Sequence, residues 1–143
     1  MSCILRIEGV NFKVDQFLEV TLLEPYKVWH SGELVTPKRK HESLYTTSGC
    51  NIDISAADFD EFHIQKSDAI KFMIDNYDKL LKLPKFGLLE SESATLDFGI
   101  YTRMFDVGRQ TDRFEPELLK LAGNLNLTIA LSQYEPATRE ENK

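Results

Sequence analysis

Several features that mark specialised protein classes are missing from this sequence. Two cysteines in 143 residues are too few for a disulfide framework. No apolar run approaches the ~20 residues that a membrane helix needs. The charged residues Arg6 and Glu8 stand too early for the apolar region of a signal peptide. These absences predict a soluble, cytoplasmic protein that depends on neither disulfides nor a membrane.

Motifs for cofactor binding are missing as well. The seven glycines are scattered, and no glycine-rich loop that would hold a phosphate joins a strand to a helix. His30, His41 and His63 lie 11 and 22 residues apart, and there is no Cys-x-x-Cys pair, so the spacing of a metal site is absent. We therefore expect no cofactor, no metal and no catalytic residue.

The two cysteines, Cys3 and Cys50, are in phase with apolar strand positions. A thiol becomes a strong nucleophile when a neighbouring base lowers its pKa, and no such base stands beside either residue. We interpret both as buried, reduced thiols.

What the chain does have is a globular composition with an acidic balance. Hydrophobic residues make up 42% and charged residues 28%, which is typical of one folded domain. Seventeen basic against 23 acidic residues give a net charge of −6, which argues against a general nucleic-acid binder. We expect a single α+β domain over residues 1–134 and a flexible polar tail over 135–143.

Four segments alternate between apolar and polar residues, as strands do when helices cover one face of a sheet and water the other. They begin at Cys3, Cys50, Leu96 and Leu125. Two weaker candidates lie at 26–30 and 41–46. Trp29, in the first of these, is either a core residue or an interface residue, and only its burial decides.

Apolar residues at helical spacing predict three helices. The strongest prediction covers residues 60–83 and ends before Pro84, because a proline disfavours the helical conformation in the residue before it. Shorter helices are predicted at 14–22 and 116–122. The order of elements predicts an α+β fold, with a mostly antiparallel sheet of about five or six strands and two to three helices packed on one face.

Four short motifs occur between residues 45 and 134. They are Ser-Gly-Cys-Asn-Ile-Asp-Ile-Ser at 48–55, Leu-Asp-Phe-Gly at 96–99, Pro-Glu-Leu-Leu-Lys-Leu-Ala-Gly at 116–123 and Leu-Ser-Gln-Tyr at 131–134. Together they resemble a group of small uncharacterised bacterial proteins. The resemblance implies a bacterial origin and a compact α+β fold, and it brings no activity. Small acidic bacterial proteins of this kind are common among immunity proteins that neutralise toxins, an analogy of size and charge.

The acidic residues are unevenly distributed. Residues 42–65 contain five acids and residues 86–102 contain three, with no Lys or Arg in either stretch. The candidate partner-binding residues are Asp58, Phe59, Asp60, Glu61, Glu90 and Glu92. A negative surface beside an exposed Phe59 or Phe62 would complement a basic partner that cuts RNA or DNA. The alternative is that the acids at 58, 60 and 61 only favour the N-terminus of the long helix through its dipole.

A second candidate site is a pair of carboxylates. Asp53 and Asp97 each lie mid-strand between apolar neighbours. If their strands are adjacent, the two carboxylates share the polar face and raise one another's pKa. With His41 they would then form the site of a small enzyme or of a ligand-binding domain. The alternative is two solvated carboxylates on an open sheet.

These patterns favour a non-enzymatic binding protein over an enzyme. We expect an immunity protein that occludes the active site of a basic toxin domain and binds neither nucleic acid nor membrane. The alternative is a small enzyme or ligand-binding domain that uses the polar face of the sheet. A third interpretation is a structural protein that forms homo-oligomers through an exposed strand.

Overall fold

The computed structural model describes residues 1–35, 43–92 and 94–136, which form a five-stranded sheet with four α-helices. The elements in chain order are β1 (Cys3–Gly9), α1 (Val14–Thr21), β2 (Lys27–Trp29), β3 (Ser48–Ser55), α2 (Phe62–Asp75), α3 (Tyr77–Leu81), β4 (Thr95–Tyr101), α4 (Pro116–Asn124) and β5 (Thr128–Tyr134). This architecture confirms the predicted α+β class. None of the described helices is both long and apolar enough to cross a bilayer.

The sheet has the strand order β2-β3-β1-β4-β5. β1 pairs antiparallel with both β3 and β4, and β2 pairs antiparallel with β3. β4 and β5 are parallel, and α4 lies in the connection between them, because parallel neighbours need a long crossover. The predicted mostly antiparallel sheet is therefore confirmed.

Strand alternation gives the sheet one covered and one open face. In β1, Cys3, Leu5 and Ile7 have no exposed surface and belong to the core beneath the helices. Arg6 and Glu8 alternate with them and lie on the opposite face. We call that opposite side the open face, and it carries the candidate sites below.

The single helix predicted over residues 60–83 is wrong in its extent. The helix begins at Phe62, ends at Asp75, and continues only as the short α3 after Asn76. Both the backbone and the side-chain amide of Asn76 donate to the carbonyl of Phe72, each at 3.0 Å. A side-chain amide that bonds the backbone in this way competes with the helical pattern, and Asn76 has left it at φ −116°.

The strand predicted at 26–30 forms as β2, whereas the one at 41–46 does not form within the described residues. There Leu44 makes only an isolated bridge to Leu34. Residues 36–42, which include His41, lie outside the described residues, as do 93 and 137–143. The tail predicted over 135–143 therefore stays a prediction.

Both cysteines are free and fully buried on the covered face, which confirms their interpretation as buried, reduced thiols. Burial raises the pKa of Cys50 to about 12. Burial, with a smaller effect of Asp97, raises the pKa of Cys3 as well. Neither thiol is positioned to act as a thiolate nucleophile at neutral pH.

Candidate functional site

The pairing register fixes which side chains are neighbours on the open face. Ile4 of β1 stands opposite Asp53 of β3 on one side and Asp97 of β4 on the other. β1 therefore separates the two carboxylate-bearing strands by two strand spacings, about 10 Å. The paired-carboxylate hypothesis required β3 and β4 to be adjacent. They are not, because β1 lies between them.

The two aspartates differ in their surroundings. Asp97 is half-buried, and its Oδ1 accepts a hydrogen bond from the Ser132 hydroxyl of the neighbouring β5 at 2.7 Å. Asp53 is exposed. His41, the third residue of the paired-carboxylate hypothesis, lies outside the described residues. Within the described residues, Asp97 is the one member of the proposed pair that is partly buried and oriented by a hydrogen bond.

The acids that precede α2 form a compact turn. One carboxylate oxygen each from Asp58, Asp60 and Glu61 lies within 4.8 Å of the others, and we call these three residues the acidic turn. Glu61 Oε1 accepts the Asp58 backbone N–H at 3.0 Å, and the Glu61 N–H donates to the Asp58 carbonyl at 3.0 Å. Asp58 and Asp60 stay exposed. The turn is thus locally ordered and still presents negative charge to solvent.

The aromatic residue within this turn is not the freely exposed anchor that the sequence suggested. Phe59 is half-buried, with its ring stacked on Tyr134 at 5.3 Å and 11° and against the edge of Tyr101 at 5.3 Å. The Tyr101 N–H also donates to the Phe59 carbonyl at 3.2 Å. Phe62 packs into the core against Phe98. Exposed aromatic surface is supplied instead by Tyr134, at 49%.

The acidic turn together with Phe59, Tyr101 and Tyr134 forms one surface, which we call the acidic–aromatic surface. The two tyrosines were missed in the sequence. Their signal was present, because Tyr101 follows Asp97 and Gly99 on the polar side of the β4 alternation. An aromatic residue on the polar face of a strand indicates either a neighbouring aromatic or an interface.

Glu90 and Glu92 do not belong to this surface. Glu92 accepts the N–H of Val10, just beyond the C-terminal end of β1, at 2.8 Å and that of Leu89 at 2.9 Å. The acidic turn lies near the other end of β1, where the Ser2 hydroxyl donates to the Ala57 carbonyl at 2.6 Å. The seven-residue strand separates the two acidic groups by about 20 Å.

Glu90 and Glu92 instead line a cavity of about 450 Å³. Six of its other lining residues are leucines, from α3, from the 3-10 turn Leu83–Phe86, from the segment that follows the turn and from the end of α4. Because both carboxylate oxygens of Glu92 accept backbone N–H groups, its side chain ties β1 to the segment before β4. Its role in the described structure is to satisfy backbone donors.

Trp29 is a packing residue, since only 6% of it is exposed. It lies on the open face over Gly49, where an added Cβ would stand 2.6 Å from Trp29 Cζ2. Its ring stacks on Tyr45 at 5.8 Å, and Lys27 lies 5.8 Å from the ring centre. An aromatic stack therefore covers this end of the open face.

His30 lies between two carboxylates on the side of α1. Its Nε2 lies 2.9 Å from Asp15 Oδ2, and its Nδ1 contacts Glu33. The hydrogen bond with Asp15 makes the largest contribution to a raised pKa for His30, partial burial opposes it, and Glu33 adds to it. This contact ties the first turn of α1 to the loop after β2.

We expect the Asp15→Asn variant to lower the pKa of His30, because the imidazolium then loses the carboxylate that contributes most to its raised pKa. With Asp15 present, the contact stabilises the fold fully below about pH 6.5, and the stabilisation is lost as pH rises through the raised pKa. NMR titration of the imidazole measures the shift, and urea unfolding from pH 5.5 to 8.5 measures the linked stability. Asp78→Asn, at an exposed position of α3, is the matched control, and an equal His30 titration in both variants would contradict the contact.

Comparisons with known protein families, with curated proteins and with solved structures find no match to this chain. Evidence about function therefore comes from the site itself. That site combines an acidic turn, a partly exposed aromatic cluster and a half-buried carboxylate at one end of the open face.

Proposed function

We propose that this chain is a non-enzymatic bacterial binding protein of the immunity type, which neutralises a basic toxin domain by occluding its active site. The observation that carries the proposal is the acidic–aromatic surface, where three carboxylates adjoin a cluster of three rings. A basic protein partner would contact both the carboxylates and the aromatic rings of this surface.

The charge of the acidic turn supports the choice of a basic partner. Its three carboxylates lie within 4.8 Å of one another, so they repel each other until a cation compensates them. The whole chain is also acidic, with a net charge of −6. A negative field of this kind speeds the approach of a basic protein and repels nucleic acid.

The aromatic rings support binding to a protein surface. Tyr134 is 49% exposed, and its ring stacks on Phe59 at 5.3 Å, which in turn packs against the edge of Tyr101 at 5.3 Å. Rigid, partly exposed tyrosines lose little conformational entropy on binding and are common where binding energy is concentrated. The acids would supply orientation and association rate, and the rings would supply contact area.

The proposed mechanism is occlusion. Asp58, Asp60 and Glu61 would stand where the phosphates of a nucleic-acid substrate bind the toxin, and Tyr134 would pack against the rim of its active site. A chain that protects its own cell against such a toxin would act in the cytoplasm, without a membrane or nucleic-acid partner of its own.

Affinity purification at low ionic strength tests the proposal. The tagged chain is expected to retain one basic protein, which salt releases, and to abolish that protein's cleavage of RNA or DNA at a one-to-one ratio. The matched bait carries Asp58→Lys, Asp60→Lys and Glu61→Gln, and it is expected to retain much less of the partner. An acidic partner, capture that salt does not weaken, or undiminished cleavage in the complex would each overturn the proposal.

A further inference from the structure

A small cavity opens on the open face beside the acidic–aromatic surface. Its volume is about 120 Å³. The strand residues Ile4, Asp97 and Gly99 line it together with the aromatic residues Tyr26, Phe59 and Tyr134. A carboxylate and three aromatic residues thus border one small space.

Gly99 explains why the rings stand beside this carboxylate. A Cβ at Gly99 would lie 3.1 Å from Phe59 Cε1 and 3.2 Å from Tyr134 Cε2, tighter than ordinary contact. The missing side chain therefore lets both rings lie directly over β4. Asp97 is two residues earlier on the same strand and the same face, so its carboxylate lies next to them.

Among the described residues, only one of the two oxygens of the Asp97 carboxylate has a hydrogen-bond partner. Its Oδ1 accepts the Ser132 hydroxyl at 2.7 Å, which orients the group. Its Oδ2 accepts no hydrogen bond from the residues that the structure describes. A half-buried carboxylate with one unpaired oxygen gains from a charged donor, because charge-assisted hydrogen bonds are the strong ones.

The surroundings of the cavity carry negative charge. Asp53 stands across Ile4 from Asp97, and Asp58 and Asp60 flank Phe59 in the acidic turn. Two bases of the chain lie nearby. Met1, which carries the N-terminal amino group, lines the cavity, and the charge of Arg6 partly opposes the rise in the pKa of Tyr26 that burial causes. Among the described residues neither base forms an ion pair with Asp97, so its Oδ2 stays available to an entering cation.

We propose that this cavity binds the guanidinium group of an arginine side chain, between the aromatic residues and Asp97. A guanidinium is small and planar, stacks on aromatic faces and donates charge-assisted hydrogen bonds, which suits the small volume, the aromatic walls and the free Oδ2. The inference deepens the proposed function, since on that function the arginine belongs to the basic toxin domain. It would anchor the contact beside the acidic turn.

The test needs no partner protein. Acetyl-arginine N-methylamide is titrated into the ¹⁵N-labelled chain, and the neutral citrulline analogue of the same shape is titrated in parallel. We expect saturable shifts centred on the amides of Asp97, Gly99 and Tyr134, and at least fivefold weaker binding of the citrulline analogue. Asp97→Asn is expected to weaken arginine binding at least fivefold, whereas Asp53→Asn, with the same charge change outside the cavity, changes it less than twofold.

The asparagine in Asp97→Asn can still accept the Ser132 hydroxyl, so the fold is expected to persist. Tyr134→Ala, which removes a cavity wall, provides a second variant and is also expected to weaken binding. Equal binding of the two ligands, shifts confined to the acidic turn, or equal effects of Asp97→Asn and Asp53→Asn would overturn the inference. Any of these results would leave the test of the proposed function, capture of a basic partner, unaffected. Conversely, if no partner is captured but arginine still binds, only the proposed function is overturned.

Discussion

Replacing the carboxylates of the acidic turn is expected to slow association with the basic partner about ten- to a hundredfold at low ionic strength. The variant carries Asp58→Lys, Asp60→Lys and Glu61→Gln. Glutamine is used at position 61 because its side-chain oxygen can still accept the Asp58 N–H and keep the turn ordered. Stopped-flow mixing over a range of salt concentrations measures the rate. The dependence of the rate on salt is expected to flatten, since steering by the local field is lost.

The control separates the position of the charges from their number. Glu19→Lys, Asp78→Lys and Glu90→Gln change exposed acids away from the acidic–aromatic surface. Each triple variant takes the net charge from −6 to −1, because every lysine adds two charges and the glutamine adds one. We expect the control to slow association less than about threefold. Equal slowing in both variants would show that total charge, rather than the acidic turn, steers the partner.

Phe98→Ala is expected to have the largest effect on stability. Phe98 has no exposed surface, and its ring contacts those of Phe62 at 5.8 Å and Phe114 at 5.2 Å. Removing a buried phenylalanine side chain costs about 3–5 kcal/mol, through lost burial and the cavity left behind. Since a domain is stable by about 5–15 kcal/mol, a large share of the free energy of unfolding is lost. Urea unfolding measures it.

Leu119→Ala is the control, a large-to-small change at a residue of α4 that is 49% exposed. Its expected cost is below about 1 kcal/mol. A similar small cost for Phe98→Ala would mean that α2 and the segment before α4 do not close over the sheet as described. Phe98 faces the helices whereas Asp97 faces the open side, so a folded Phe98 variant is expected to retain the surface of the site.

The two faces of the sheet were predictable because strand alternation is a local property of the chain. The pattern Cys3–Leu5–Ile7 against Arg6 and Glu8 assigns each residue to a face without knowledge of any partner strand. The same reasoning placed both thiols in the core, and Cys3 and Cys50 are buried. Helix positions were predictable, but the break at Asn76 was not, because the apolar spacing continues past Asn76 while its backbone leaves the helical conformation at φ −116°.

The candidate site was predictable only in part. The sequence identified Asp58, Asp60 and Glu61 as an acidic group, and they lie together because they are close along the chain. It did not separate them from Glu92, whose position at the other end of β1 follows from its bonds to Val10 and Leu89. Distances between residues far apart in sequence depend on strand order, which a local pattern does not contain.

By itself, then, the sequence determined the α+β class, the two faces of each strand, the buried thiols and the acidic turn, all of which follow from short-range periodicity and charge. Only the tertiary structure decided that β1 lies between Asp53 and Asp97 and that Tyr134 stacks on Phe59. The cavity beside Asp97 likewise exists only in the tertiary structure. The physical reason is that each of these arrangements joins segments more than 40 residues apart, which meet only when the sheet forms.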